Sequence, residues 1–126
     1  MKQLFVLAFL CISAVAFGQT KNDIKFKAMS HNFGKIKQNV PVTYTFSFTN
    51  ATASRPLIVE DATAECGCTK PEYSKAPIGK GKSSNIKVTY NAATPGTFSK
   101  KVTVRFANIA EPVILTITGD VVAATK

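Results

Sequence analysis

Apolar and polar residues alternate in four stretches of the chain. The first runs from Val42 to Thr49, where valine, tyrosine and phenylalanine occupy every second position between threonines and a serine. The same period of two recurs around three later sets of apolar residues: Ile86, Val88 and Tyr90; Val102, Val104 and Phe106; and Val113, Leu115 and Ile117. This period is typical of a strand with one buried face. The pattern therefore predicts four main strands, with most lysines on their solvent side.

Two details add to this strand pattern. Lys100 falls on the same side as Phe98 and Val102, so we expect a bulge or the start of a strand at that position. Two shorter apolar stretches, 24–29 and 57–59, predict two additional short strands.

Residues that favour turns separate the predicted strands, at 50–56, 77–81, 94–96 and 108–112. No segment after residue 18 has the apolar spacing of a helix, so the strands are expected to pair antiparallel. A sheet with one apolar face must bury that face against a second sheet. The sequence thus predicts an all-β fold, a single immunoglobulin-like antiparallel β-sandwich of about seven strands. It lacks the tryptophan and the widely spaced cysteine pair of antibody domains.

The first 18 residues have the features of a cleaved signal peptide. Lys2 supplies a positive charge, and the uncharged apolar run at 4–17 is too short to span a bilayer. Ala16 and Gly18 fit the small-residue rule for a cut after Gly18. We therefore expect residues 1–18 to be removed on export.

Cleavage there leaves residues 19–126, the size of one immunoglobulin-like domain. Without Lys2 the chain has 15 basic and 7 acidic residues, a net charge of about +8. No basic run interleaves with aromatic residues, so nucleic acid is not expected as a partner. We expect an exported domain in the periplasm, the cell envelope or the medium, with no stable membrane anchor. Its expected partner is a protein or an envelope polymer, held by edge-strand pairing.

Several short motifs occur in an order that is similar to one known family. They are His31-Asn32-Phe33-Gly34-Lys35-Ile36, Phe46-Ser47-Phe48-Thr49-Asn50, Cys66-Gly67-Cys68-Thr69, Ile78-Gly79-Lys80-Gly81 and Gly119-Asp120-Val121. Together they resemble the domain-of-unknown-function family 1573, and the Cys-Gly-Cys-Thr motif is the most specific part. The resemblance implies a secreted or envelope-associated bacterial protein, similar in fold to immunoglobulin-like domains of sperm-protein and pilus-chaperone type. It implies no particular activity. One departure is Gly79, where many relatives have proline.

Cys66 and Cys68 are the only cysteines expected after cleavage, and they carry the main candidate chemistry. The glycine between them allows backbone angles that bring the two α-carbons within bridging distance, and an extracytoplasmic location favours oxidation. A closed loop of about three residues stabilises a fold by only about 1.5 kcal/mol, so this disulfide would be a weak staple. Three hypotheses stay open: a structural bridge or packed thiols, thiol exchange favoured by the nearby charge of Lys70, and Cu(I) bound by the two thiolates.

His31 is the only histidine of the chain, and a catalytic triad would depend entirely on it. No Gly-x-Ser-x-Gly elbow, phosphate loop or dinucleotide fingerprint is present. We therefore expect no catalytic residue and no cofactor. The predicted function is an extracytoplasmic binding or structural module of the bacterial cell envelope, not an enzyme. The alternative is a thiol-redox or Cu(I)-binding protein that acts through Cys66 and Cys68.

Overall fold

The computed structural model describes residues 23–52 and 55–124, which form eight β-strands and no α-helix. The strands are β1 (Ile24–Phe26), β2 (Ser30–Lys37), β3 (Val42–Asn50), β4 (Val59–Ala64), β5 (Thr69–Tyr73), β6 (Ser83–Tyr90), β7 (Gly96–Phe106) and β8 (Val113–Val122). The predicted all-β sandwich is confirmed, with eight strands where about seven were expected. The predicted signal peptide, residues 1–18, lies outside the described residues.

The strands form two four-stranded sheets. One sheet has the order β1-β3-β6-β5, and the other has the order β2-β8-β7-β4. Every pairing is antiparallel except that of β2 with β8, which is parallel. The expectation of purely antiparallel pairing is wrong at this place. The chain leaves β1 at the edge of the first sheet and crosses at residues 27–29 to the edge of the second sheet. It does not reverse its direction there, so β2 runs parallel to the last strand, β8.

The core lies between the sheets and is built from the strands with the clearest alternation. The four predicted main strands correspond to β3, β6, β7 and β8, and their inward residues are almost fully buried: Phe46, Phe48, Ile86, Val88, Val102, Val104, Leu115 and Ile117. Phe48 meets Phe106 edge to face, with ring centroids 5.5 Å apart. These contacts join the two sheets, because Phe48 belongs to β3 and Phe106 to β7.

Strand β7 is longer and more regular than the sequence suggests. It starts at Gly96, and Lys100 pairs with Ile117 without any shift of register. The predicted bulge or strand start at Lys100 is therefore wrong. The lysine is half-buried, a position that its long apolar stem tolerates because the ammonium group can still reach water.

The loops divide between the two ends of the sandwich. Residues 38–41, 65–68 and 91–95 lie at one end together with the C-terminal residues 123–124, and we term this the cysteine end. Loops 51–58, 74–82 and 107–112 lie at the opposite end. Within the described ranges, no helix is long and apolar enough to cross a membrane.

Candidate functional site

The two cysteines lie side by side in the short loop between β4 and β5. Their sulfur atoms are adjacent and their α-carbons are 5.2 Å apart, within the range found across disulfides. Both residues are half-buried, whereas Gly67 between them is exposed. The structure thus brings together the two residues that the sequence selected as its candidate chemistry.

Thr69 places a hydroxyl group against both sulfur atoms. This threonine begins β5 and is only 4% exposed. Its Oγ1 lies 3.7 Å from the Sγ of Cys66 and 3.6 Å from the Sγ of Cys68. A hydroxyl at this distance can donate a hydrogen bond to sulfur, and such a bond is strongest when the sulfur is a thiolate.

Hydrogen bonds hold the loop at both of its ends. The N–H of Glu65 donates to the carbonyl of Lys101 at 3.3 Å, and the N–H of Lys101 donates to the Glu65 carboxylate at 3.1 Å. On the other side, the carbonyl of Cys68 accepts from the N–H of Asn91 at 2.9 Å. The cysteine loop is therefore tied to β7 and to the loop after β6 independently of any bond between the sulfurs.

The loop after β6 continues this network across the cysteine end. Ala92 is fully buried and has a φ of 57°, an uncommon conformation for a residue other than glycine or asparagine. Its carbonyl accepts from the N–H of Asn39 at 2.8 Å. The Gln38 side chain donates to the Ala93 carbonyl and accepts from the N–H of Ala124, each at 3.0 Å. Three loops and the C-terminal residues therefore form one connected surface.

Lys70, the charged neighbour of the cysteine motif, pairs with an acidic residue of its own strand. Its ammonium group lies 3.8 Å from the Glu72 carboxylate, and its side chain is 78% exposed. Successive residues of a strand face opposite sides, so Lys70 points outward where Thr69 points inward. Among the described residues, no group of three or more His, Cys, Asp or Glu side chains is arranged to hold a metal ion.

His31 is part of an aromatic cluster on the flank of the sandwich. Its ring stacks on Tyr44 with centroids 3.8 Å apart and meets the edge of Phe33 at 4.7 Å. Since Tyr44 belongs to β3 and His31 to β2, this stack joins the two sheets. The observed contacts of His31 are therefore packing contacts between aromatic rings.

A second candidate site, which the sequence did not reveal, is an apolar cleft where the chain changes sheets. The cleft has a volume of about 340 Å³ and is lined by Ile24, Lys25, Phe26, Met29, Pro112, Val113 and Ile114. Met29 is 49% exposed and Ile114 is 39% exposed, so two large apolar side chains lie together at the surface of the cleft. One feature of the sequence could have indicated this cleft: Ile114 is an isoleucine on the polar side of an alternating strand.

Among the residues that the structure describes, the main chain beside this cleft lacks a strand neighbour on one side. Strand β2 begins opposite Thr116, whose N–H donates to the Met29 carbonyl at 2.9 Å. Main-chain groups alternate in direction along a strand, so the N–H and C=O of Ile114 point to the same side as those of Thr116. Within the described residues, Ile114 has a strand neighbour only on the β7 side. The cleft therefore combines apolar side chains with a short open sheet edge.

A family model described as "Protein of unknown function (DUF1573)" matches residues 24–121. No curated protein matches the sequence.

Several solved structures are similar in fold. A protein of unknown function from Porphyromonas gingivalis superposes with a TM-score of 0.64 at 12% identity, over 87% of this chain and 51% of that one. The secreted serine protease VesC from Vibrio cholerae gives 0.62 at 13% identity, over 83% of this chain and 25% of VesC. The ASH/PapD-like domain 7 of human CEP192 gives 0.60 at 10% identity, over 82% of this chain and 87% of that domain. This chain therefore spans about half or less of the two bacterial proteins.

Proposed function

The chain belongs to the family of proteins of unknown function DUF1573, and from this premise we propose that it is an extracytoplasmic binding module for an extended segment of a partner protein. The segment would lie in the cleft beside Ile114. The observation that carries the proposal is the open edge of β8 next to exposed apolar side chains.

The open edge offers main-chain hydrogen bonds to a partner. An extended segment in line with β2 would accept from the Ile114 N–H and donate to the Ile114 carbonyl, which adds a short strand to the sheet. The free stretch, Val113–Leu115, is about 10 Å long at the usual rise of a strand. Such a stretch accommodates about three residues of a partner.

The cleft beside this edge favours an apolar side chain with acidic neighbours. Phe26 forms its floor, packed on Phe48 with ring centroids 5.0 Å apart, and Met29 and Ile114 form its exposed sides. Lys25 also lines the cleft and supplies a positive charge. A partner segment with one large apolar residue flanked by aspartate or glutamate fits this combination.

Of the four edge strands, β2, β4 and β5 carry features that discourage pairing, whereas β1 itself borders the cleft. Strand β2 has a register shift after Asn32 and carries Lys35 and Lys37, β4 has a register shift after Val59, and β5 contains Pro71. Bulges, lysines and proline are the usual means by which proteins protect an edge strand. Because the edge at Ile114 carries an apolar residue in place of these features, it is the favoured place for a partner strand.

Two observations support an extracytoplasmic location. The N-terminal segment has the pattern of a signal peptide with a cut after Gly18. In addition, a domain of the same fold occurs within the secreted protease VesC. The mass of the protein recovered from the periplasm or the medium tests this part, because a cut after Gly18 leaves Gln19 as the first residue.

Site-specific cross-linking in the producing cells tests the binding cleft. A photoreactive phenylalanine analogue is placed at Ile114 in one variant and at Val122 in the control. Val122 is a matched position, since it lies on the same strand and the same face as Ile114 and is 48% exposed. We expect one discrete adduct at position 114, in which the cross-linked peptide carries an apolar residue beside acidic ones. Equal adducts at both positions, no adduct at 114, or adducts only with a second copy of this chain would contradict the proposal.

A further inference from the structure

We propose that Cys66 and Cys68 form a disulfide that exchanges with external thiols, an activity at the cysteine end that is separate from the cleft beside Ile114. The co-reactant is a thiol of low mass or a cysteine of another protein. Four observations carry the inference: the adjacent sulfurs, the open space above the loop, the Thr69 hydroxyl and the two anchors of the loop.

The loop is open to an approaching thiol on its outer side. Gly67 is exposed, and a Cβ atom added to it would meet no atom within 4 Å. Cys68 packs against the hydrophobic core, whereas Cys66 is not part of that contact set. Cys66 therefore presents the sulfur that an external thiolate can attack, and Cys68 is the leaving group.

The exchange proceeds in two balanced steps. In the first, an external thiolate attacks Sγ of Cys66 and forms a mixed disulfide, while the bond between the cysteines breaks and its electron pair remains on Sγ of Cys68. The Thr69 hydroxyl, 3.6 Å from that sulfur, donates a hydrogen bond to the new thiolate. In the second step, another external thiolate attacks the external sulfur of the mixed disulfide and displaces the Cys66 thiolate. The thiolates of Cys66 and Cys68 then take up the two protons that the external thiols released. Two external thiols become one external disulfide, and the protein gains two thiols.

The anchors of the loop allow the pair to cycle. Glu65 is bound to Lys101 through its N–H and its carboxylate, and Cys68 is bound to Asn91 through main-chain groups, so these contacts remain when the bond between the sulfurs opens. The reduced cysteines therefore stay close together, and the reverse reaction with an external disulfide restores the bond.

An equilibrium experiment tests whether the pair exchanges. The purified protein is incubated in buffers of reduced and oxidised glutathione, quenched with acid and alkylated, and peptide mapping then measures the label on Cys66 and Cys68. We expect both residues to change together and reversibly as the buffer is varied. Two free thiols in oxidised glutathione, or a pair that stays closed in millimolar reduced glutathione, would overturn the inference.

Single-residue variants test the assigned roles. With a small aromatic disulfide as the probe, Cys66 in the Cys68→Ser variant is expected to react roughly tenfold faster than Cys68 in the Cys66→Ser variant, because Cys68 packs on the core. In the protein with both cysteines, Thr69→Val is expected to slow the opening of the disulfide by glutathione roughly tenfold. It should also shift the pH dependence of cysteine alkylation to higher pH, because the hydrogen bond to the thiolate is lost.

Thr69→Ser keeps the hydroxyl and should restore both values. Thermal unfolding of each variant reports whether the fold is kept. A folded Thr69→Val variant with the wild-type rate and pH profile, or equal rates for the two single cysteines, would contradict the assigned mechanism.

Discussion

Replacing Gly119 by alanine tests how closely three strands pack at the cysteine end. Gly119 lies on β8, where a Cβ atom would sit 2.7 Å from Cε1 and Cζ of Phe98 on β7 and 3.1 Å from the Gly34 carbonyl on β2. Ordinary contacts of a Cβ atom begin at 3.4 Å. The ring of Phe98 must therefore move, because the obstacle on the other side is main chain.

The movement of Phe98 has a cost that can be estimated. Its ring stacks on Tyr90 with centroids 4.1 Å apart, and Tyr90 is only 3% exposed, so little space remains on the far side. Inserting a methyl group into a packed core usually costs about 1–3 kcal/mol. For a domain of roughly 100 residues this lowers the midpoint of thermal unfolding by roughly 5–15 °C.

Thermal and urea unfolding of four variants measure this cost: Gly119→Ala, Gly67→Ala, Phe98→Leu and the Phe98→Leu/Gly119→Ala double variant. Gly67→Ala is the matched control, because a Cβ atom there meets nothing within 4 Å, and its expected effect is within about 0.5 kcal/mol of zero. In a Phe98→Leu background, Gly119→Ala should cost much less than in the wild type, since the smaller side chain leaves room for the methyl group. If Gly119→Ala is as stable as Gly67→Ala, or costs the same in both backgrounds, the explanation by Phe98 is wrong.

Three further predictions concern the stability of the domain. Asn50 is fully buried, and its amide donates to the carbonyls of Arg55 and Ile78 at 3.0 and 2.8 Å. Asn50→Ala should therefore lower the free energy of unfolding by about 2–4 kcal/mol in urea titrations, and an unchanged value would show that water replaces the amide. His31→Ala removes the stack on Tyr44 and should cost about 1 kcal/mol, to be compared by thermal unfolding with Asn85→Ala on the exposed face. Reduction of Cys66 and Cys68 should lower the free energy of unfolding by no more than about 1.5 kcal/mol, and a larger loss would make the pair a structural staple.

The main strands of the sandwich could be predicted because their alternation is uninterrupted, whereas β2 could not. Its inward residues Phe33 and Ile36 are three positions apart. The structure explains this spacing by a register shift between Asn32 and Lys35, where Gly34 has a φ of 69° and donates its N–H to the Asn32 side chain at 2.8 Å. A bulge of this kind moves the following residues to the other face and hides the period of two.

Strand β5 was missed for a different reason. It has only five residues and contains Pro71, which argues against a strand when the sequence is considered alone. In the fold β5 lies at the edge of its sheet, where proline is tolerated because only one side of the strand is paired.

The cysteine site and the cleft beside Ile114 also differ in how far the sequence alone predicts them. Cys66, Cys68 and Thr69 are neighbours in sequence, so their proximity follows from the motif alone. The anchor at Asn91 and the cleft beside Ile114 depend on how distant strands align. No local pattern specifies that β2 starts opposite Thr116, and this offset is what leaves the edge of β8 open.

The parallel pairing of β2 with β8 has a mechanical consequence. The described chain enters at one end of the sandwich and leaves at the other, so tension between its two ends acts along both strands. The six residue pairs between β2 and β8 are then loaded in shear, and all of them resist sliding at the same time. A hairpin pulled from its open end would instead lose its pairs one by one. A domain whose first and last long strands pair in this way can transmit a tensile force from one end to the other while its core stays closed.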